Sequence, residues 1–389
     1  MFSIQTLNPI SPIGLALFGD LYQLDQIDQD PHAVLVRSTK MHEFSIPESL
    51  LAVGRAGAGT NNIPIDKMSL TGIPVFNTPG ANANAVKELV ITGLLLVSRN
   101  IFAAWQYLQT LQGDDAQLHQ LVEKNKKQFV GSELMGKTLG VVGLGHIGVM
   151  VANAACDLGM RVVGFDPAIK VENAWKLQSS VEQASSIEEA VGTADFVTVH
   201  VPLLEKTKHL IDSMLLSKFK PNNVLLNFSR SEVVDTQAVE RFIQDQSLRA
   251  FVCDFPQAHL REYPQVICLP HLGASTKEAE QNCAVMVAQQ VKEFLEYGHI
   301  RNSVNFPSIK LTQKFQYRLS IVNANVPNMV AQISTVLSQQ QLNIVDMINK
   351  SKGDLAYTLI DVDQPLSEEM INSIKRIDGI IRVRYLTLD

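Results

Sequence analysis

The sequence predicts an α/β chain of two parallel-sheet units followed by a small antiparallel one, and three observations carry that expectation. A strand, tight turn, helix, strand pattern runs from Thr138 to Asp166, with Gly143, Gly145 and Gly148 spaced GxGxxG at its turn. Short apolar runs alternate with helical patterns on both sides of it. After residue 314 the order becomes βαββαβ, a ferredoxin-like topology.

Taken in order, residues 1 to about 90 form a smaller, flavodoxin-like α/β unit, with strands expected at Ala33–Arg37, Leu51–Arg55 and Pro74–Asn77. A helical stretch from Asn84 to about Leu108 links it to the next unit, and the polar segment Gln112–Phe129 is a surface helix or loop. Thr138–Val142 is a short β-branched run. A helix follows to Leu158, Gly159 closes it, and Met160–Phe165 is a second buried strand. Further strands at Asp195–Val201, Asn223–Phe228, Arg249–Asp254 and Val266–Leu269, separated by helical segments, give the rhythm of a doubly wound (Rossmann) sheet. Thr276–Tyr297 is a long helix, with Ala279, Cys283, Met286, Val287, Val291, Phe294 and Leu295 at helical spacing. Gly298–Lys314, containing Pro307, is a linker. The last unit has strands at Tyr317–Val322, Ile344–Lys350, Ala356–Val362 and Ile380–Leu386, and helices at Met329–Gln339 and Ser367–Arg376. The expected domains are 1–90 with 275–308, 91–274, and 315–389.

A chain of 389 residues is long enough for two or three domains with their own cores. With 46% hydrophobic and 19% charged residues and a net charge of -6, it reads as soluble and globular, with no electrostatic reason to expect nucleic acid or an anionic membrane as partner. Small anionic substrates must then be drawn by local basic clusters. Cys156, Cys253, Cys268 and Cys283 are scattered without a CxxC pair, which reads as buried free thiols in a reducing compartment, not a disulfide frame or metal site. The N-terminal stretch lacks a basic region and no apolar run approaches membrane-spanning length, so a cytoplasmic location is expected.

Each glycine of the turn has a physical task. Gly143 allows the sharp turn, Gly145 lets backbone approach a pyrophosphate, and Gly148 lets helix and strand pack closely. The amides of His146 and Ile147 open the helix, where unpaired N–H groups favour a phosphate. Asp166 stands where a carboxylate accepts both ribose hydroxyls and repels a 2′-phosphate, which favours NAD over NADP. Arg230, Asp254 and His271 follow successive strand ends of the same sheet, where nucleotide sites open. Singly, His271 would cap a loop and Arg230 would form an ordinary ion pair. Together they suit hydride transfer, which needs a base for a hydroxyl proton and a cation for a carboxylate or developing carbonyl.

GLGHIG at Gly143–Gly148, HVPL at His200–Leu203, NFSRSEVVD at Asn227–Asp235 and PHLGAST at Pro270–Thr276 together resemble the D-isomer-specific 2-hydroxyacid dehydrogenases. VRS at Val36–Ser38, GRAGAGTNNIP at Gly54–Pro64, NTPGANANAV at Asn77–Val86 and the C-terminal unit resemble the short members of that family that act on 3-phosphoglycerate and carry an ACT domain. The resemblance implies His271 as general acid/base and Arg230 as the group that binds carboxylate and polarises the C2 oxygen. It implies a second carboxylate cradle at the backbone of Ala56, Gly57, Ala58, Gly59 and Thr60, and phosphate contacts from Arg37, with Ser38 beside it, Arg55 and Asn82. Asp254 resembles the residue that orients the nicotinamide amide, and Val201, Pro202 and Thr207 line the cofactor cleft.

Two departures qualify it. Family members carry a glutamate after the Asp254 position that pairs with the catalytic histidine and fixes its tautomer. Here Gln257, Ala258 and His259 stand where it is expected, leaving Glu262 as a substitute only if the loop is rearranged. In the ACT-like unit Asn325 and Asn343 match asparagines that bind L-serine at an ACT–ACT interface in the serine-sensing members, while Asn323 stands where some have histidine and Asn328 where glycine is usual. The resemblance therefore implies NAD-dependent oxidation of 3-phospho-D-glycerate to 3-phosphohydroxypyruvate, serine inhibition, and a homodimer or homotetramer. A hydroxypyruvate or erythronate-phosphate enzyme and a non-catalytic NAD-responsive protein stay open as alternatives.

Overall fold

Three sheets organise the computed structural model, which describes residues 1–25, 30–312 and 315–388. The expected linker's residues 313 and 314, and the last residue of the C-terminal unit, lie outside the described residues. The chain divides into two compact units, Met1–Asn82 with Glu280–Asp389, and Ala83–Ala279.

In the first unit, β1 (Phe2–Thr6), β2 (Tyr22–Leu24), β3 (Ala33–Val36), β4 (Ala52–Arg55) and β5 (Val75–Phe76) form a five-stranded sheet ordered β2-β1-β3-β4-β5. Its pairings are parallel, and the order is that of flavodoxin-like sheets. Strands β1 and β2 escaped the sequence reading because FSIQT and YQL are too short and mixed to show a period. The helix Lys277–Tyr297 covers one face: Gly54 of β4 lies so close to it that an added Cβ would stand 2.6 Å from Val287.

The second unit holds β6 (Thr138–Val142), β7 (Arg161–Phe165), β8 (Glu182–Gln183), β9 (Phe196–Val199), β10 (Asn223–Asn227), β11 (Leu248–Cys253) and β12 (Val266–Cys268). Their order, β12-β11-β10-β9-β6-β7-β8, is doubly wound, with parallel pairings throughout. Residues alternate between two cores, as period-2 strands buried on both faces must. Leu139, Val141, Val224 and Leu226 pack with Val90 and Leu94 of the helix Ala83–Ser98 and Val151 of the helix His146–Asp157. Val197, Val199, Leu225 and Phe251 pack with Val239 and Ile243 of the helix Thr236–Gln244.

One expected element is two. The stretch Asn84–Leu108 breaks into Ala83–Ser98 and Ile101–Thr110, bent by 63°, at Asn100 with φ 49°. Asparagine enters the left-handed region more readily than most residues and so ends a helix there. The segment after it is a helix, Asp115–Asn125, opened by a capping box between Asp114 and Gln117. Among the described residues no single helix is long and apolar enough to cross a membrane.

The C-terminal part of the first unit is a four-stranded antiparallel sheet of β13 (Tyr317–Ala324), β14 (Ile344–Lys352), β15 (Leu355–Val362) and β16 (Ile380–Thr387), ordered β14-β15-β13-β16. One face carries the helices Met329–Gln339 and Glu368–Lys375, whose Ile333 and Ile374 pack with Leu319, Ile321 and Ile360 of the sheet. The other face is not open: Val322, Tyr357 and Leu359 join the core that contains Phe76, Phe294, Ile300 and Phe306. Arg318, wholly buried, forms a fork with Asp361 (2.6 and 2.8 Å), donates to the Tyr297 carbonyl and lies 3.8 Å over the Phe315 ring. Arg384 donates to the carbonyls of Phe294 and Leu295 that end the long helix.

Candidate active site

The glycine turn of the second unit sits where the strand order reverses, between β6 and β9. Gly143 has φ 93°, and an added Cβ would meet the His200 carbonyl at 2.8 Å; a Cβ on Gly148 would stand 1.9 Å from the Gly143 oxygen. Both are glycine because the protein's own backbone comes too close. Gly145 differs: nothing lies within 4 Å of its would-be Cβ, and it precedes the helix that His146 and Ile147 begin. An open glycine at the start of a buried helix is a cradle for an anionic group from outside the chain. Asp166, at the end of β7, accepts from the Leu144 amide (2.8 Å) and the Ala168 amide (2.9 Å), so the acid is tied to the turn it serves. These residues fit a dinucleotide. Thr207 donates to the Pro202 carbonyl and accepts from the Leu204 amide, folding the loop that begins at Val201. His200 hydrogen-bonds Thr198 at 2.9 Å, and its other ring nitrogen is buried without a partner among the described residues. Burial pushes its pKa down to about 3, so it is neutral at working pH.

Three strand ends of the same sheet carry polar side chains. At the end of β10, buried Asn227 accepts from the Ser229 amide and hydroxyl and donates to the Arg230 carbonyl, shaping the turn that leaves Arg230 exposed. At the end of β11, Asp254 is buried, and its carboxylate accepts from the Leu272 amide (2.6 Å) and the Gly273 amide (2.7 Å). Its carboxyl is raised above its ordinary value, burial outweighing those two amides. After β12, His271 has φ 58°, donates its backbone amide to the Asp254 carbonyl (3.1 Å), and is exposed, its ring 5.0 Å from that of Phe255. Asp254 thus holds the loop that displays His271. Among the described residues His271 has no carboxylate partner. Glu262 is exposed and forms no ion pair with it, and Gln257 donates to the Ser231 hydroxyl (2.9 Å), joining the loop after β11 to the one that follows Arg230. Asn227 and the loop-holding task of Asp254 were not legible in sequence, since both are backbone contacts.

The first unit gathers the two basic residues. Asn8 accepts from the amides of Arg37, Ser38 and Thr39 (2.9, 3.0 and 3.1 Å), fixing the loop after β3. Arg55 Nε donates to the Arg37 carbonyl (3.1 Å), and Arg37 pairs with Glu280 (2.7 Å). Gly57, at φ 146°, lies under the Arg55 guanidinium. Ala56 donates to the Val36 carbonyl and Gly57 to the Arg55 carbonyl, whereas the amides of Ala58 and Gly59 have no backbone acceptor among the described residues. Asn82 is half-buried. Asn8 was not singled out from sequence; an asparagine far from the motif carries no local signal.

In the C-terminal sheet, Asn323 and Asn325 line a cavity of about 420 Å³ together with Asn328, Met329 and Asn349. Asn323 is buried and its side-chain oxygen has no partner among the described residues. Asn328 takes φ 72°, which explains why asparagine serves where glycine is usual. Asn343 is exposed and does not line this cavity; its amide donates to Asp363.

The family described as "D-isomer specific 2-hydroxyacid dehydrogenase, NAD binding domain" matches residues 91–273. The chain is 32% identical over 386 residues to the D-3-phosphoglycerate dehydrogenase of Haemophilus influenzae, covering 95% of this chain and 90% of that one. It is 31% identical over 380 residues to the Escherichia coli K12 enzyme of the same name, covering 94% and 89%. Among solved structures, NAD+-bound 3-phosphoglycerate dehydrogenase of Entamoeba histolytica aligns with a TM-score of 0.61 at 25% identity, over 78% of this chain and 98% of that one. The D-mandelate dehydrogenase of Rhodotorula graminis shares the fold, with a TM-score of 0.66 at 21% identity over 80% and 99%.

Proposed function

The chain belongs to the D-isomer specific 2-hydroxyacid dehydrogenases, and on that premise we propose that it oxidises 3-phospho-D-glycerate to 3-phosphohydroxypyruvate, the first step of L-serine biosynthesis. NAD supplies the hydride acceptor. In the second unit the amides around Gly145, His146 and Ile147 would hold its pyrophosphate, Asp166 its ribose, and Val201, Pro202 and Thr207 its cleft wall. His271 takes the proton of the C2 hydroxyl, and Arg230 binds the carboxylate and steadies charge on the C2 oxygen. In the first unit the amides of Ala58 and Gly59 serve carboxylate, and Arg37, Arg55 and Asn82 serve phosphate, the dianion competing with Glu280 for Arg37. Residues 1–82 with 280–312 act as the substrate domain, 83–279 as the NAD domain, and 315–388 as a regulatory ACT domain in a cytoplasmic homodimer or homotetramer. The exposed apolar stripe Ile101, Phe102, Trp105 and Leu108 supports self-association.

The observation that carries this reading is the loop displaying His271, held by a buried carboxylate beside the sheet end that bears Arg230. NADH oxidation with 3-phosphohydroxypyruvate, beside unphosphorylated hydroxypyruvate, tests it. A strong preference for the phosphorylated acid is expected; equal rates would make the chain a hydroxypyruvate reductase, and NADH binding without turnover of either would make it a sensor. The cavity at Asn323 and Asn325, with its orphaned amide oxygen, supports an L-serine site. Millimolar serine should slow the wild type and leave Asn325→Ala unaffected; activity indifferent to serine rejects that site.

A further inference from the structure

Cys253 and Cys268 are register partners on adjacent parallel strands, so their side chains leave the sheet on the same face, and their sulfurs stand 3.4 Å apart as free thiols. Neighbouring strands lie about 4.8 Å apart, inside the Cα separation that a disulfide spans. Strand β12 is the edge of its sheet, and Cys268 is half-buried where Cys253 is buried. A small oxidant therefore reaches Cys268 first.

We propose that Cys253 and Cys268 form a reversible oxidation site whose disulfide resets the His271 loop. Cys268 is the attacking sulfur: the Cys253 hydrogen bond, the Gln257 backbone N–H and Arg261 hold its pKa at about 7, against its desolvation. The oxidant is a hydroperoxide. The Cys268 thiolate attacks the terminal oxygen, an S–O bond forms, the O–O bond breaks, and the leaving alkoxide or hydroxide takes a proton, leaving a sulfenic acid. Cys253 sulfur then attacks that sulfur and loses its proton, and the departing hydroxide takes it up as water. The dithiol gives up two electrons and two protons, and the peroxide accepts them.

The consequence follows from what the two cysteines carry. Closing 3.4 Å to a bond of about 2 Å re-aims both side chains at one rung of the β11–β12 ladder. The next rungs of that ladder are the Leu269 amide on the Cys253 carbonyl (2.8 Å) and the His271 amide on the Asp254 carbonyl (3.1 Å). While Cys268 keeps its proton, the Cys253 S–H donates to the Phe255 carbonyl (3.5 Å), a contact the disulfide removes, and the Phe255 ring lies 5.0 Å from that of His271. His271 already sits at φ 58°, a region costly for a residue with a Cβ, so its loop has little tolerance for a shift.

The full-length protein is treated with hydrogen peroxide, alkylated and digested, and amide exchange and NADH-linked turnover are followed before and after dithiothreitol. Expected are a Cys253–Cys268 cross-linked peptide, with Cys156 and Cys283 still alkylated, faster exchange at Leu272 and Gly273, and a rate lower by about 10-fold to 100-fold that dithiothreitol restores. Cys268→Ser, and Cys253→Ala as a second variant should the first fold poorly, are expected to lose this response while keeping basal turnover. No cross-link, or a cross-link with unchanged exchange at those amides, overturns the proposal. The loss of turnover rests on the role given to His271. Cross-link and exchange change with an unaltered rate uphold the oxidation site and count against that role instead.

Discussion

A proton binds the Asp254 carboxyl more tightly in the folded protein than in water, because burial raises its pKa despite the Leu272 and Gly273 amides. This group stabilises the fold most below its unfolded pKa, about 4, and the contribution is lost as pH rises through the higher folded value. Asn at this position does not titrate. The melting temperature of wild type relative to Asp254→Asn should therefore fall as pH rises above about 4, and a difference that is constant or rises with pH would contradict the assignment. The variant should also turn over more slowly, since one amide of the His271 loop then faces an NH2 group. Glu262 is exposed and forms no ion pair with His271, so Glu262→Gln should leave both rate and pH profile unchanged. A displaced pH profile would reveal a carboxylate reaching His271 when substrate is bound.

At the scale of an element, Gly143 and Gly145 before the helix His146–Asp157 and Gly148 in its first turn separate packing from binding. Gly148→Ala pushes a Cβ into the Gly143 oxygen and should cost about 1–3 kcal/mol or more, read as a lower melting temperature. Gly145→Ala meets no protein atom, and its φ of -72° suits alanine. Its stability should stay within about 0.5 kcal/mol of wild type while NAD affinity falls roughly tenfold, read by calorimetric titration. Equal affinity in Gly145→Ala and wild type would move the pyrophosphate elsewhere. The motif was legible because its glycines recur at a fixed spacing between a strand and a helix, whatever each one makes room for. The break at Asn100 was not, since asparagine is also an ordinary helix residue and only its neighbours' packing selects the left-handed turn.

Across the whole molecule, the C-terminal module is legible in sequence as a βαββαβ unit behind a linker, yet its sheet face shares a core with the long helix and the first sheet. Arg318, Arg384 and Tyr357 each hydrogen-bond a backbone carbonyl between Tyr297 and Gly298 or at the end of that helix. A module attached through a common core unfolds with it. Calorimetry of the full chain should show the C-terminal module melting together with the rest of the first unit, separately from the second. An independent transition for the module would mean that these contacts contribute little.

The sequence by itself determined what is local or periodic. Thr138–Phe165 had to be strand, turn, helix and strand because buried runs, glycine spacing and a terminal acid agree over a few residues, and strand-end positions brought Arg230, Asp254 and His271 to attention. Only the tertiary structure decided what depends on partners distant in the chain. It put the Asp254 carboxylate on two loop amides, Asn8 under Arg37, and Cys253 beside Cys268 across fifteen positions of sequence that read as scattered thiols. Register between strands and the reach of a side chain to backbone have no period, so they exist only once the chain is folded.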